Sequence, residues 1–298
     1  GQSWDLYTTT IVRKEEKYFF NATVLKEEAL LTTSAEEFQC AYSPDGKEVA
    51  YLEERTTLKV LNLATKQTRV IVPGNKNYSY ADGDQWYDWS PDSKWFLVNF
   101  LHDEQWIGQV GLVSAEGGKE IVDLTKSGYG GYVPHWAMDG KAILFVSDRD
   151  GMKNHASWGG QSDAYALFLT QEAFDKFKMT KEEAALAKEE EEKKKDGDDE
   201  GKTEKEKKEK KEKDAKKEEE KDKKVDPIKI ELEGIEDRKV RLTPNSSALS
   251  GAVLSKDGEK LYYLARFEKG FDLWQFEIRT RETKIINKMG DGFAGGLT

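Results

Sequence analysis

The chain has 298 residues, a formal net charge of −10, eight Trp, 12 Tyr, 13 Phe and one Cys. That length holds one large or two ordinary domains, the aromatics are ample for a sizeable core, and a lone Cys40 excludes an internal disulfide or a cysteine-based metal site. Positions 181–226 carry 17 Lys against 20 Asp or Glu, so the remainder nets −7 without a dense basic cluster, which argues against nucleic-acid binding.

In chain order, residues 1–37 open on Asp5-Leu6-Tyr7, in the register of Asp272-Leu273-Trp274 downstream, and read as the outer two strands of a repeat unit. Residues 38–84 hold the first whole unit. Phe38–Tyr42 is a strand, Ser43-Pro44-Asp45-Gly46-Lys47 a tight turn, Val49–Leu52 a second strand, Leu58–Leu63 a third and Thr68–Val72 a fourth. Pro presets φ where the turn begins, and Asp-Gly is expected to supply the positive-φ positions of a hairpin. Residues 85–131 repeat the pattern around Ser90-Pro91-Asp92-Ser93, and residues 132–170 around Ala137-Met138-Asp139-Gly140. The turn aspartates fall at 45, 92, 139 and 257; the first two steps are 47 residues and the third is 118, a step lengthened by about 71 residues. Four antiparallel strands in about 45 residues is the signature of a β-propeller blade.

The extra residues form an insertion, 171–226, between the third and fourth strands of the third whole blade. Thr170 to Leu186 reads as one helix capped by Thr170. The Lys/Glu run beyond it reads as disordered or as a fraying, solvated helix. Pro227 marks the return to β structure at Ile228–Leu232, and residues 227–249 complete the blade. Residues 250–290 form another blade around Ser255-Lys256-Asp257-Gly258, and 291–298 begin a further one. The expected fold is all-β, a fragment of a six-bladed or larger propeller with one long charged helical or disordered insertion. An open ring leaves blade edges exposed, so pairing with a second copy is an expected behaviour. Cys40 is expected to pack as a small buried hydrophobe.

No catalytic set emerges. Gly160-Gln161-Ser162-Asp163-Ala164 lacks the last Gly of a nucleophile elbow and leads into a strand. His102, His135 and His155 have no zinc-site spacing, and the acidic string from Asp196 has Lys207 where a calcium loop needs Glu. No metal or cofactor is expected. No apolar run reaches the roughly 18 residues of a membrane helix, so no membrane span is expected. The segment 147–162, between the second and third strands of the third whole blade, concentrates Arg149, His155 and Trp158 with several glycines. Arg beside Trp and His suits a peptide carboxylate or a stacked ring. His135, on an innermost strand, is a channel-lining candidate. The plainer reading is a polar loop with one packed Trp.

The turn Ser43-Pro44-Asp45-Gly46-Lys47 and the strand Val49-Ala50-Tyr51 resemble the propeller repeats of periplasmic translocation-type proteins, prolyl oligopeptidases and tricorn-type peptidases. Longer strings narrow this. Trp4–Tyr7, Ile11–Glu16, Gly151–Gly159 and Ile235–Thr243 resemble the N-terminal propeller of bacterial tricorn-like serine peptidases, as does the Lys/Glu insertion. The resemblance implies a segment that guides or filters peptides, or unfolded polypeptide, toward a serine peptidase domain located beyond a second propeller and a PDZ-like module. The motifs of those later parts are not in this sequence, so no catalytic residue carries over. It further implies contact with the parent's downstream domains and a periplasmic or cell-envelope location, with a cytoplasmic one as the alternative. A non-enzymatic protein-binding propeller and the propeller of a prolyl-oligopeptidase-type hydrolase remain alternative readings.

Overall fold

A computed structural model describes residues 4–12, 24–102, 106–153, 160–197, 225–290 and 297. The described residues fall into two compact units, each taken separately below.

The first unit opens with β1 (Leu6–Val12) paired antiparallel with β2 (Val24–Leu31) in a two-stranded sheet. Two four-stranded antiparallel meanders follow. One runs β3 (Glu37–Tyr42), β4 (Glu48–Glu53), β5 (Thr57–Asn62), β6 (Thr68–Val72); the other runs β7 (Tyr87–Trp89), β8 (Trp95–Leu101), β9 (Gly108–Ser114), β10 (Val122–Asp123). Val49, Ala50, Tyr51 and Leu52 are all buried. A central strand covered on both faces is a continuous apolar run rather than an alternating one. Phe38, Leu52, Val60, Val72, Trp89 and Phe96 share one core cluster in this unit. Hydrogen bonds tie its two meanders together: Trp89 Nε1 donates to the Ala41 carbonyl at 3.3 Å, and the Tyr87 hydroxyl donates to the carbonyls of Gln39 and Ala50.

The turn after β3 explains its residue choice. Ser43 Oγ donates to Asp45 Oδ1 (2.7 Å), the same oxygen accepts from Lys47 N (3.1 Å), and Gly46 N closes onto Ser43 O (2.8 Å). The fourth turn repeats this with Ser255, Asp257, Gly258 and Glu259. There, hydrogen bonds from Ser255 and from Glu259 N hold the Asp257 carboxyl below the usual carboxylate range. The expectation that Asp-Gly fills two positive-φ positions needs correcting. Gly46 (φ 70°), Ser93 (φ 59°) and Gly258 (φ 75°) are each the one left-handed residue of their turns; in the third turn Met138 (φ 52°), Asp139 (φ 56°) and Gly140 (φ 80°) are all left-handed. Elsewhere the aspartate acts through its carboxylate, as an acceptor for the backbone two residues on.

Cys40 is exposed, contrary to expectation. Phe38 pairs with Leu52 and Ala41 with Ala50, so Gln39 and Cys40 together oppose Tyr51 in a β-bulge. Gln39 at φ 49° breaks the side-to-side alternation and turns Cys40 outward. Glu37, at the start of β3, is 2% exposed; one of its oxygens accepts from Thr33 Oγ1 at 2.6 Å, and the other has no hydrogen-bond partner among the described residues. Burial raises its pKa. A raised folded pKa favours the protonated fold. The stabilisation is complete below the ordinary glutamate pKa and is lost as pH rises through the folded value. Glu37→Gln should therefore be more stable than the wild type at pH 7. The gap should close toward pH 4, as read by thermal melts at both values.

The second unit holds β11 (Gly131–Ala137), β12 (Ala142–Ser147), β13 (Asp163–Phe168) and β14 (Lys239–Arg241) in one meander. A second meander comprises β15 (Ala248–Leu254), β16 (Lys260–Arg266), β17 (Asp272–Glu277) and β18 (Thr283–Lys288). The insertion leaves β13 as two helices, not the single one expected. Helix α1 (Gln171–Lys178) is capped by Thr170, whose Oγ1 accepts from Ala173 N at 3.2 Å. It ends at Met179, and α2 (Lys181–Gly197) starts anew. The break is a capping box: Thr180 Oγ1 accepts from Glu183 N (3.2 Å) while the Glu183 carboxylate accepts from Thr180 N (2.8 Å). Helix α2 carries the start of the Lys/Glu run, and residues 198–224 lie outside the described residues. Phe177 and Ala173 of α1 are buried in one cluster with Phe168, Leu254, Leu261 and Tyr263. The first part of the insertion thus belongs to the core.

The predicted strand at Ile228–Leu232 is absent; regular pairing resumes only at β14. Pro227 offers no N–H, and Gly234 at φ 63° reverses the chain before a short 3-10 turn, Ile235–Arg238. Arg238, 4% exposed, holds the returning segment in place of a ladder. It donates to the Phe168 carbonyl (3.0 Å), the Glu233 carbonyl (2.9 Å) and the Glu231 carbonyl.

Candidate functional site

The most site-like feature of the second unit is a polar cavity of about 420 Å³, lined among others by Thr125, Tyr129, Phe145, Arg149, Asp150 and Tyr165. Its volume lies in the range of small-ligand pockets. Two connections build its rim: 125–130, which leads into β11, and 148–153, which follows β12. Asp148 joins them, accepting from Gly130 N at 3.0 Å and pairing with Lys153 Nζ at 3.3 Å. Gly151 is required there, because a Cβ would lie 1.8 Å from the Gln161 carbonyl oxygen. Gln161 N donates to Met152 O (2.8 Å), and Lys153 bridges Gly160, so the loop is pinched at its base.

Arg149 stands exposed on this rim with its guanidinium 5.8 Å from the Tyr129 ring centroid; Lys153 Nζ lies 4.5 Å from the same ring. Among the described residues no carboxylate pairs with Arg149. Phe145 and Tyr165 stack at 5.6 Å to form one wall. The Tyr165 hydroxyl donates to the Asp150 carboxylate, and burial together with that bond pushes its phenol pKa up, so it is a neutral donor at pH 7. Lys239 Nζ donates to the Thr125 carbonyl at 3.0 Å.

The loop is anchored from below by Asp163, which is fully buried at the start of β13. Its carboxylate accepts from Thr243 Oγ1 (2.7 Å) and Ser246 Oγ (2.7 Å) and pairs with Arg241 Nη2 at 2.9 Å. Ser246 Oγ also reaches the Asp150 carbonyl at 3.4 Å. Ser246 is thus the link from this network to the 148–153 connection.

Of the residues singled out from the sequence, Arg149 borders the cavity. His135 lies on β11 opposite Leu144, half-buried, away from the cavity lining, and burial lowers its pKa so that it is neutral at pH 7. His155 and Trp158 lie outside the described residues. Sequence reasoning missed Tyr129, Tyr165 and Asp163. Tyr129 sits in a Gly-rich stretch that reads as a linker. Asp163 finds Thr243 only across 80 residues of sequence. Among the described residues no group of three His, Cys, Asp or Glu could hold a metal ion, and no helix is long and apolar enough to cross a membrane. The arrangement offers an exposed cation beside an aromatic ring and a hydroxyl-bearing wall, in a cavity that the carboxylates of Asp150, Glu236 and Asp237 also line.

No protein-family model matches the chain, and no curated protein matches it. Among solved structures, the chain is similar to a tricorn protease, with a TM-score of 0.55 at 12% identity over 88% of this chain and 23% of that one. It also aligns with TolB from Acinetobacter baumannii (TM-score 0.46, 16% identity, 88% of this chain and 46% of that one). A third alignment is with oligopeptidase B from Trypanosoma brucei (0.47, 10%, 90% and 30%). The chain spans less than half the length of each of these structures. The tricorn likeness, with the four-stranded meanders, shows a β-propeller fold. At that identity it shows the fold alone.

Proposed function

We propose that this chain is a non-catalytic propeller segment of a tricorn-like serine peptidase, guiding or filtering peptides toward an active site in other domains of the parent. The observation that carries the reading is Arg149, exposed at the mouth of a cavity walled by Tyr129 and Tyr165 and unpaired with any carboxylate among the described residues. It suits the C-terminal carboxylate of a peptide. The sequence resemblance to tricorn-like propellers supports the same reading, and with it a cell-envelope location for the parent. His155 and Trp158, close to Arg149 in sequence, are proposed as further contacts.

Calorimetric titration of the chain with one peptide in free-acid and C-terminally amidated forms tests this. The acid should bind about tenfold more tightly, as one charge-assisted contact at an exposed site requires. Arg149→Ala should abolish the difference and leave the amide's affinity unchanged. Equal binding of acid and amide by the wild type would overturn the carboxylate role.

A further inference from the structure

The 420 Å³ cavity of the second unit carries charges of both signs. Arg149 supplies an exposed cation without a carboxylate partner among the described residues. The short turn Ile235–Arg238 contributes Glu236 and Asp237 to the lining, and Asp150 contributes a further carboxylate. That turn is fixed from inside. Ile235 is 1% exposed, and the buried Arg238 donates to the carbonyls of Phe168 (3.0 Å), Glu233 (2.9 Å) and Glu231. With both ends of the turn held in the core, Glu236 and Asp237 between them are exposed.

These carboxylates differ in what they already hold. Glu236 has Lys126 Nζ at 3.7 Å. Asp150 accepts from the Tyr165 hydroxyl, a neutral group, and no cation pairs with it among the described residues. Asp237 has neither a cation nor a side-chain hydrogen bond among them. A ligand that brings only a carboxylate to Arg149 sets its charge against Asp150 and Asp237 in the same cleft. Like charges brought together lower affinity, and opposite charges raise it. The ligand that matches both signs carries a cation close to its carboxylate. At the end of a peptide, that is a last residue with a basic side chain. The stacked rings of Phe145 and Tyr165 give its methylenes an apolar wall to lie along, as the stems of long cationic side chains do.

We infer that this cavity takes the last residue of peptides ending in arginine or lysine, with Arg149 on the terminal carboxylate and Asp237, assisted by Asp150, on the basic side chain. The inference rests on the carboxylate reading of Arg149 above and adds to it the identity of the terminal residue.

Calorimetric titration of the whole chain with short N-acetylated, free-acid peptides tests it. One peptide ends in arginine. A second ends in citrulline, which keeps the shape without the charge. A third ends in citrulline and carries the arginine at an inner position. The arginine-ended peptide should bind about tenfold more tightly than either of the others. Asp237→Asn should remove that preference and keep the acid-over-amide discrimination of the citrulline-ended peptide. Asp237 is exposed, so the substitution should leave the melting temperature unchanged. Equal binding of arginine and citrulline ends by the wild type would overturn the inference. Equal binding of inner and terminal arginine would show general attraction to an acidic protein and overturn it too, as would a preference that survives in Asp237→Asn. The citrulline-ended peptide in acid and amide forms reads Arg149 separately. Acid-over-amide discrimination without a preference for arginine sinks this inference alone, whereas loss of that discrimination in the wild type sinks the reading beneath it.

Discussion

Asp163→Ala should cost about 4 kcal/mol of folding stability. The carboxylate is fully buried and takes hydrogen bonds from Thr243 and Ser246 and an ion pair from Arg241. Removing it strands the buried Thr243 hydroxyl and leaves the Arg241 guanidinium, about two-thirds buried, with its bond to Ser246 alone. Desolvated donors without acceptors carry a penalty larger than the net worth of the bonds they made. Asp163→Asn keeps an acceptor but loses the charge and should cost about half as much. Urea unfolding midpoints read both. A loss under about 1 kcal/mol for the alanine variant would mean that water replaces the network. The Arg149 rim should loosen with it, because Ser246 links Asp163 to the Asp150 carbonyl.

Phe168→Ala should cost a similar amount, about 4 kcal/mol, for an apolar reason. Its side chain is fully buried, with ring centroids 4.6 Å from Phe177 and 5.8 Å from Phe174. The cavity left would lie between β13 and α1, and both partners come from the helix. Helix α1 is further fixed by Arg279, which pairs with Glu259 at 2.8 Å and donates to the Met179 carbonyl at the helix end. Phe168→Ala and Phe177→Ala should therefore combine non-additively, the double variant losing less than the sum of the singles. Additive losses, read in the same unfolding experiment, would show that α1 docks independently of the strand.

The repeat was legible because its cause is local. A turn in which Ser bonds Asp marks the first, second and fourth units, and the third, with Ala137 in place of Ser, keeps the aspartate on the 47-residue step. The Thr170 cap was legible for the same reason. The second helix start was equally local, as Thr180 and Glu183 form a capping box, but a continuous helical pattern hid it. Other features are long-range. Cys40 turns outward because a bulge places two residues opposite Tyr51, and nothing in the strand's composition marks the bulge. Ile228–Leu232 has strand composition, yet Arg238 holds that stretch by its carbonyls instead of a partner strand. The cavity needs Tyr129 from one connection to meet Arg149 from another. Only Arg149 stood out in the sequence, as a charged residue in a Gly-rich loop; its partners resembled linker and strand.

The reading of a segment that binds peptides and leaves their cleavage to other domains is tested most directly by mass spectrometry. The chain is incubated with a mixed peptide pool, and its bound and free fractions are analysed. The account predicts enrichment of free-acid peptides in the bound fraction, all recovered at full length. Shortened peptides whose production stops when a single serine of this chain is replaced would contradict it.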